Sequence, residues 1–323
     1  MPDSPLHFTL EGANQTQQVT VTDNAGNSAT FTSPAVNIDL TKPSTAANVS
    51  GISNNMQWYP SPVSVTLSAS DNLSGVASTF YRIDGGSAQT YTSAFSISSD
   101  GVHNLDFWSV DVAGNTELQQ TRIVKIDATA PVTQASVSGT AGTNNWYRSA
   151  VQVSLSASDN VSGVQNTSYR IDGGAIQAYA GPFVLSTMGQ HTVNYWSVDN
   201  AGNTEATHSL VVNIDTVAPG VTATATPATA SKSPRPVTVT ISGSATDALS
   251  GISSASYSVI DEYGATQPSG PVTLQANGNY SFTLSLPATK NGSDKDGHLY
   301  TIVVSGLDRA GNSASATTTL RIN

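Results

Sequence analysis

Nine aspartates stand in three sets of the same make. Asp39, Asp127 and Asp215 lie 88 residues apart, as do Asp71, Asp159 and Asp247. Asp111 and Asp199 are also 88 apart, and Asp308 follows after 109; each opens the run Asp-x-Ala-Gly-Asn, whose first copy starts at Asp23. Three carboxylates with Asn and backbone oxygens close by form the donor set of a hard cation, and calcium is the cation they suit. Without one they repel each other. The same residue in the same turns also caps its own loop by accepting backbone N–H bonds, which needs no metal. The first reading requires each set to converge in space; the second requires only that each Asp sit in a turn.

Convergence is decided by the elements that carry these residues. Residues 40–127 and 128–215, laid over each other without a gap, agree at 46 of 88 positions. A period of this size means like modules in series. It divides the chain into a partial module at 1–39, full modules at 40–127 and 128–215, and a longer, divergent one at 216–323. Helical periodicity is absent. Short alternating runs are broken by Gly, Asn, Asp and Pro every 8–12 residues, the pattern of an all-β sandwich.

In residues 128–215 the expected strands, lettered A to G, are Thr133–Ser138 (A), Val151–Ala157 (B), Ser168–Ile171 (C), a strand following the Asp172-Gly173-Gly174 hairpin, Pro182–Leu185 (E), His191–Val198 (F), and a last strand (G) ending at Ile214. Asp-Gly supplies the positive φ that the tight hairpin needs. Strand B then leads to Asp159, strand F leads to Asp199, and the chain enters the module at that same end from Asp127. The topology therefore predicts that each set of three aspartates meets at a junction between modules. The linkers that follow Asp39, Asp127 and Asp215 are short and reach Pro43, Pro131 and Pro219. Such linkers are stiff compared with Gly/Ser tethers, so an extended rod of modules is expected.

The partial module reads as strands E, F and G only, at Phe8–Leu10, Gln18–Thr22 and Ala29–Ile38. Three strands leave an apolar face uncovered, so residues 1–38 are expected either to come from a domain whose other strands lie elsewhere or to pair with another chain and drive self-association.

Composition narrows the partners. Net charge is −10, from 12 basic and 22 acidic residues, and a surface of this sign repels phosphates, which excludes nucleic acid. No run of 18 apolar residues is present, so no membrane span is expected. The chain opens Met1-Pro2-Asp3-Ser4-Pro5 without a signal peptide, and reads as a segment of a longer exported protein. Zero cysteines excludes disulfides and thiolate metal sites, and points to a bacterial extracellular or cell-surface setting.

No catalytic set emerges, and no cofactor is implied other than the calcium. There is no Gly-x-Ser-x-Gly elbow, phosphate loop or His-Glu-x-x-His motif. His103, His191 and His298 fall at the start of strand F and read as packing or turn residues. Asp294-Lys-Asp-Gly297 is too short for a full calcium loop. With Val193 and Tyr195 facing inward, Trp196 faces out, and so does Trp108. Each is set to bind a sugar ring, to stack with Arg170 or Arg82, or simply to shield the sheet. Trp58-Tyr59 and Trp146-Tyr147 are expected to plug one end of the sandwich.

Several phrases resemble the immunoglobulin-like and fibronectin-III-like modules found in tandem in bacterial secreted and surface proteins: Trp146-Tyr147, Ser156-Ala-Ser-Asp-Asn-Val-Ser-Gly-Val164, Tyr169-Arg-Ile-Asp-Gly-Gly174, Ser197-Val-Asp-Asn-Ala-Gly-Asn-Thr-Glu205 and Ile214-Asp215. Residues 40–127 carry the same phrases, and 216–323 resemble a longer variant. The resemblance implies a non-catalytic spacer or adhesin stalk, with an extracellular glycan or protein as partner. The alternative it leaves open is a carbohydrate-binding accessory array of a secreted glycan-active enzyme. A shared fold does not choose between them.

Overall fold

The computed structural model describes residues 6–54 and 56–323, and those residues contain strands and turns but no helix, hence none long and apolar enough to cross a membrane. Packing divides them into two compact units, one of residues up to 132 with 158–166 and 197–205, the other of 133–157, 167–196 and 206–323.

In residues 40–127 a three-stranded sheet runs in the order Phe95–Ile97, Val63–Ser70, Ser44–Ser50. A five-stranded sheet runs Trp58–Tyr59, Gln120–Ile126, Gly101–Asp111, Val76–Ile83, Gln89–Thr90. Alternation decides which residues go inside: along Val63–Ser70 the apolar members Val63, Val65 and Leu67 are buried and the Ser and Thr between them exposed, as the two-residue repeat of a strand requires. Both sheets feed one core, in which Val63, Val65 and Leu67 meet Leu105, Phe107, Val124 and Ile126. The structure is a β-sandwich.

The same 3 + 5 arrangement recurs 88 residues later. Val132–Ser138, Val151–Ser158 and Phe183–Leu185 form one sheet, and Trp146–Tyr147, His208–Ile214, Gly189–Asp199, Val164–Ile171 and Gln177–Ala178 the other. The core residues Val151, Val153, Leu155, Val193, Tyr195, Val212 and Ile214 are the period equivalents of those above. In residues 216–323 the strands Gly220–Thr226, Val237–Thr246 and Asn279–Leu286 form the three-stranded sheet, and Thr229–Ala230, Ser313–Ile322, His298–Asp308, Ile252–Asp261 and Ser269–Pro271 the five-stranded one. Tyr300, Ile302, Val304, Leu320 and Ile322 fill its core with Val239, Ile241 and Leu286.

Three expectations need correction. Phe8–Leu10 is not a strand; the N-terminal strands are Gly12–Gln15, Gln18–Thr22, Ser28–Thr32 and Val36–Ile38. The expected single strand Ala29–Ile38 is broken at Ser33-Pro34-Ala35, because Pro34 has no N–H to give a ladder. The halves go to different partners, Ser28–Thr32 to Gln18–Thr22 and Val36–Ile38 to Gly12–Gln15. Trp58-Tyr59 does not plug an end. It lies parallel to the last strand as an edge, Trp58 opposite Lys125 and Tyr59 opposite Ile126, with the Lys125 ammonium 5.9 Å from the Trp58 ring centroid. Third, the strand expected to start at Ser168 starts at Val164. The hairpins are as expected: Asp84 and Gly85 have φ of 51° and 70°, Asp172 and Gly173 of 52° and 71°, the mirror-type turn that matches strand twist.

Candidate functional site

Each aspartate set is assembled from three places. The first member leaves the last strand of one repeat. Its amide is held by the edge pair: Asp127 N donates to Tyr59 O, and Asp215 N to Tyr147 O, both at 2.9 Å. The second member follows the strand Val63–Ser70 or its equivalents, and the third ends the long strand Gly101–Asp111 or its equivalents. The fold brings the members together. In the sets Asp39/Asp71/Asp111, Asp127/Asp159/Asp199 and Asp215/Asp247/Asp308, one carboxylate oxygen from each member lies within 4.8 Å of the other two. Asp127, Asp199, Asp215 and Asp308 are 0 % exposed.

Hydrogen bonds hold each member in place. In the middle set, Asp127 accepts from Thr129 N at 3.0 Å and Ser162 N at 3.0 Å. Asp159 Oδ1 accepts from Val161 N at 3.1 Å and Gly163 N at 2.7 Å. Asp199 Oδ1 accepts from Ala201, Gly202 and Asn203 amides at 2.8, 2.6 and 2.8 Å. Asn203 closes the circuit: its Nδ2 donates to Asp199 Oδ2 at 2.7 Å and to the carbonyl of Asp127 at 2.8 Å. The Gly at the fourth turn position has φ of 96°, 100° and 95° at Gly114, Gly202 and Gly311, a region closed to most side chains. This is why the run is Asp-x-Ala-Gly-Asn.

The loop-capping role of these aspartates is thus directly visible, and so is their convergence. The two are compatible, since a capping carboxylate has lone pairs left over. Asp71 Oδ1 is buried with no hydrogen-bond partner among the described residues. Around Asp39 the hydrogen bond from Ser74 leads the effects that hold its carboxyl below the usual aspartate range, so the group is charged at neutral pH. No ammonium or guanidinium pairs with any of the nine among the described residues. Carboxylates that converge this closely repel each other when ionised. Their oxygen-only donor chemistry fits Ca²⁺.

Trp108 and Trp196 are both half-buried. Trp108 stacks on Phe80 at 5.8 Å between centroids, and Arg82 turns instead to Asp106, Nε to Oδ2 at 2.9 Å, and to Gln119. Of the alternatives for Trp108, the stack with Arg82 gives way to an ion pair because Asp106 stands directly opposite Arg82 in the register. One repeat on, Asp106 becomes Asn194 and Phe80 becomes Ser168, and Arg170 Nε is buried without a hydrogen-bond partner among the described residues.

The histidines are more than packing. His103 Nδ1 lies 2.8 Å from Asp84 Oδ2 and its Nε2 2.9 Å from the Ser99 carbonyl. His191 repeats this with Asp172 at 2.8 Å and the Thr187 carbonyl at 2.9 Å, and His298 with Asp261 at 2.9 Å and the Thr289 carbonyl at 2.8 Å. Burial works to lower the His103 pKa, but the bonds to Asp84 and Ser99 and the charge of Asp84 outweigh it and leave it raised. For His191 the Asp172 bond leads, and the pKa is again raised. The 88-residue spacing of Asp84/Asp172 and of His103/His191 was the available sequence signal. Asp294 caps its own loop at Asp296 N and Gly297 N and takes a hydrogen bond from the Tyr263 hydroxyl.

Residues 221–322 match the family model of the bacterial Ig-like domain. That match covers the last repeat, and the sandwiches ahead of it share its arrangement of a three-stranded and a five-stranded sheet. No curated protein gives a significant match. Among solved structures, the chain is similar to a tetra-tandem repeat from the extending region of a large adhesion protein, at 18% identity and a TM-score of 0.36, over 95% of this chain and 81% of that one. It is also similar to cadherin domains 1–4 of protocadherin gamma B7, at 12% identity and a TM-score of 0.41, over 93% and 80%. The D00-D0 domain of intimin matches at 14% identity and a TM-score of 0.28, over 58% of this chain and 99% of that one.

Proposed function

We propose that the chain is a non-catalytic spacer or adhesin stalk of a bacterial extracellular or surface protein, and that its work is to hold successive modules in series. One observation carries this reading: the nine aspartates that form the candidate sites all stand where one repeat passes to the next. Chemistry spent on connection suits an array whose product is position. A glycan array with the whole chain tests it against the carbohydrate-binding alternative. No saturable glycan is expected. Saturable binding that Trp108→Ala or Trp196→Ala abolishes would overturn the spacer reading.

We further propose Ca²⁺ as the ligand of the three carboxylate sets, supported by their oxygen-only donors and by the buried, unpartnered Asp71 Oδ1. The protein's own residues position the carboxylates; the cation would remove their mutual repulsion and so stabilise the linker geometry. Calorimetric titration of chelator-treated protein with Ca²⁺ is expected to show binding, and a flat titration would remove the metal from the proposal.

Residues 1–38 are proposed to mediate self-association by strand pairing. Phe31 is 62 % and Val21 42 % exposed on their paired strands, apolar surface that a partner strand would cover. Deleting 1–38 is then expected to dissolve any oligomer seen by light scattering; assembly unchanged by the deletion would exclude this route.

A further inference from the structure

The Asp-x-Ala-Gly-Asn turn has an outer side as well as an inner one. On the inner side its carboxylate collects the amides of its own turn: Asp308 Oδ1 takes Gly311 N and Asn312 N at 2.6 and 2.8 Å. With those N–H groups engaged, the turn presents carbonyl oxygens outward, and outward carbonyls need donors. A neighbouring loop supplies them. Thr143 N donates to Ala310 O at 3.1 Å. Thr143 Oγ1 and Asn144 Nδ2 donate to Arg309 O at 2.6 and 3.1 Å, and Arg148 to Gly311 O at 3.3 Å. The approach is so close that a Cβ on Gly142 would stand 2.0 Å from Ala310 O, so glycine is required there for lack of space.

The pattern occurs again one repeat earlier. Asn54, the period equivalent of Gly142, donates its Nδ2 to Asn200 O in the turn Asp199–Asn203. The alanine at the centre of the turn records the contact: Ala201 is 2 % and Ala310 0 % exposed. The turn Asp111–Asn115 follows the same Asp-x-Ala-Gly-Asn pattern, its Asn115 donates to the Asp111 carboxylate in the same way, and its Gly114 has a φ of 96° against 100° and 95°. There Ala113 is exposed and Val112 is 68 % exposed.

We infer that the Asp-x-Ala-Gly-Asn turn is a docking element for the loop that follows the first strand of the preceding Ig-like module, and that the turn Asp111–Asn115 is an open copy that receives such a loop from one further module of this kind. The occupant is defined by its chemistry: a loop with a glycine or asparagine at its tip and N–H or hydroxyl donors beside it, because that is what fills the copies at Asp199 and Asp308. The inference is independent of any metal at the carboxylates.

The chain has no cysteine, so a single introduced thiol reports the contact by its rate of alkylation in the folded protein. Ala113→Cys is expected to react fast and Ala201→Cys and Ala310→Cys slowly. Adding Gly142→Val to Ala310→Cys, or Asn54→Ala to Ala201→Cys, is expected to raise the rate about tenfold, the scale of one or two lost hydrogen bonds. The Ala201 pair carries the comparison even where Cys does not fit at Ala310. Replacing residues 1–38 with a second copy of residues 40–126, joined at Asp39, is expected to slow Ala113→Cys to the rate of Ala201→Cys. Equal rates for Ala113→Cys and Ala201→Cys without the added module, or no effect of Asn54→Ala, would overturn the docking role. An Ala113→Cys rate unchanged by the added module would overturn the open copy.

Discussion

Asn203 Nδ2 lies 2.8 Å from the main-chain oxygen of Asp127, 76 residues earlier in the chain. The turn that closes one repeat thereby grips the linker through which the chain entered it. Asn115 does the same to Asp39 O at 3.0 Å and Asn312 to Asp215 O at 3.0 Å.

Cutting this grip should loosen the linker before it harms the sandwich. Asn203→Ala removes the bonds to Asp127 O and Thr129 O and the one to Asp199 Oδ2. A loss of about 1–3 kcal/mol is expected, at roughly 1 kcal/mol per net hydrogen bond. Limited proteolysis should show cleavage within 128–131 appearing first; cleavage elsewhere with 128–131 intact would show that the linker is held by other means.

Charge and capping separate under Asp-to-Asn substitution. Asn retains an acceptor oxygen for the loop amides but not the charge. Asp159→Asn should leave chelator-treated protein as stable as before or more so, since both loop amides bond to Oδ1 and repulsion is relieved. The same substitution should reduce the gain from Ca²⁺, which for a bound cation amounts to about 2.7 kcal/mol at one hundred times its dissociation constant. Melting curves of both proteins with Ca²⁺ and with chelator decide it. An equal calcium response in the two would exclude the middle set as a binding site.

Stability should also follow the histidines. In the fold the pKa values of His103 and His191 are raised above the ordinary 6.5, and those of Asp84 and Asp172 lowered below 3.8. The histidine contribution is fully present below about pH 6.5 and fades as pH rises through the folded-state value. The aspartate contribution is present at neutral pH and fades as pH falls through the lowered carboxyl values. Melting temperature is therefore expected to decline from about pH 6 toward about pH 8, a range that straddles the ordinary imidazole value. His103→Gln with His191→Gln should flatten that slope, and an unaltered slope would assign the pH dependence to other groups.

Core truncation should act on one sandwich. Leu105 is 0 % exposed and packs with Val65, Val124 and Ile126. Leu105→Ala is expected to cost about 2–5 kcal/mol. Hydrogen exchange should rise in the strands around Leu105 while those around Ile302 stay protected. Equal deprotection of both would mean that the two cores unfold as one.

The sandwich was legible in the sequence because a half-buried strand writes itself in alternating residues. Val63, Val65 and Leu67 are readable in order, and the period copies them to Val151, Val153 and Leu155. The aspartate convergence was legible for a related reason: antiparallel pairing dictates which strand ends share an edge of the sandwich, so Asp127, Asp159 and Asp199 follow from topology alone. Contacts across the sheet surface were not. Arg82 meets Asp106 and leaves Trp108 to Phe80 because of a register that neither strand encodes by itself. Trp58-Tyr59 finds a parallel partner 67 residues away, set by where the preceding loop delivers it. The turns at Asp111 and Asp199 are one motif in sequence, yet Ala113 is exposed and Ala201 buried. Local chemistry determined the shape of that turn, since Asp, Gly and Asn act within five residues. What covers it was decided only in the tertiary structure, because the covering loop belongs to another part of the chain and its approach depends on the whole fold between them.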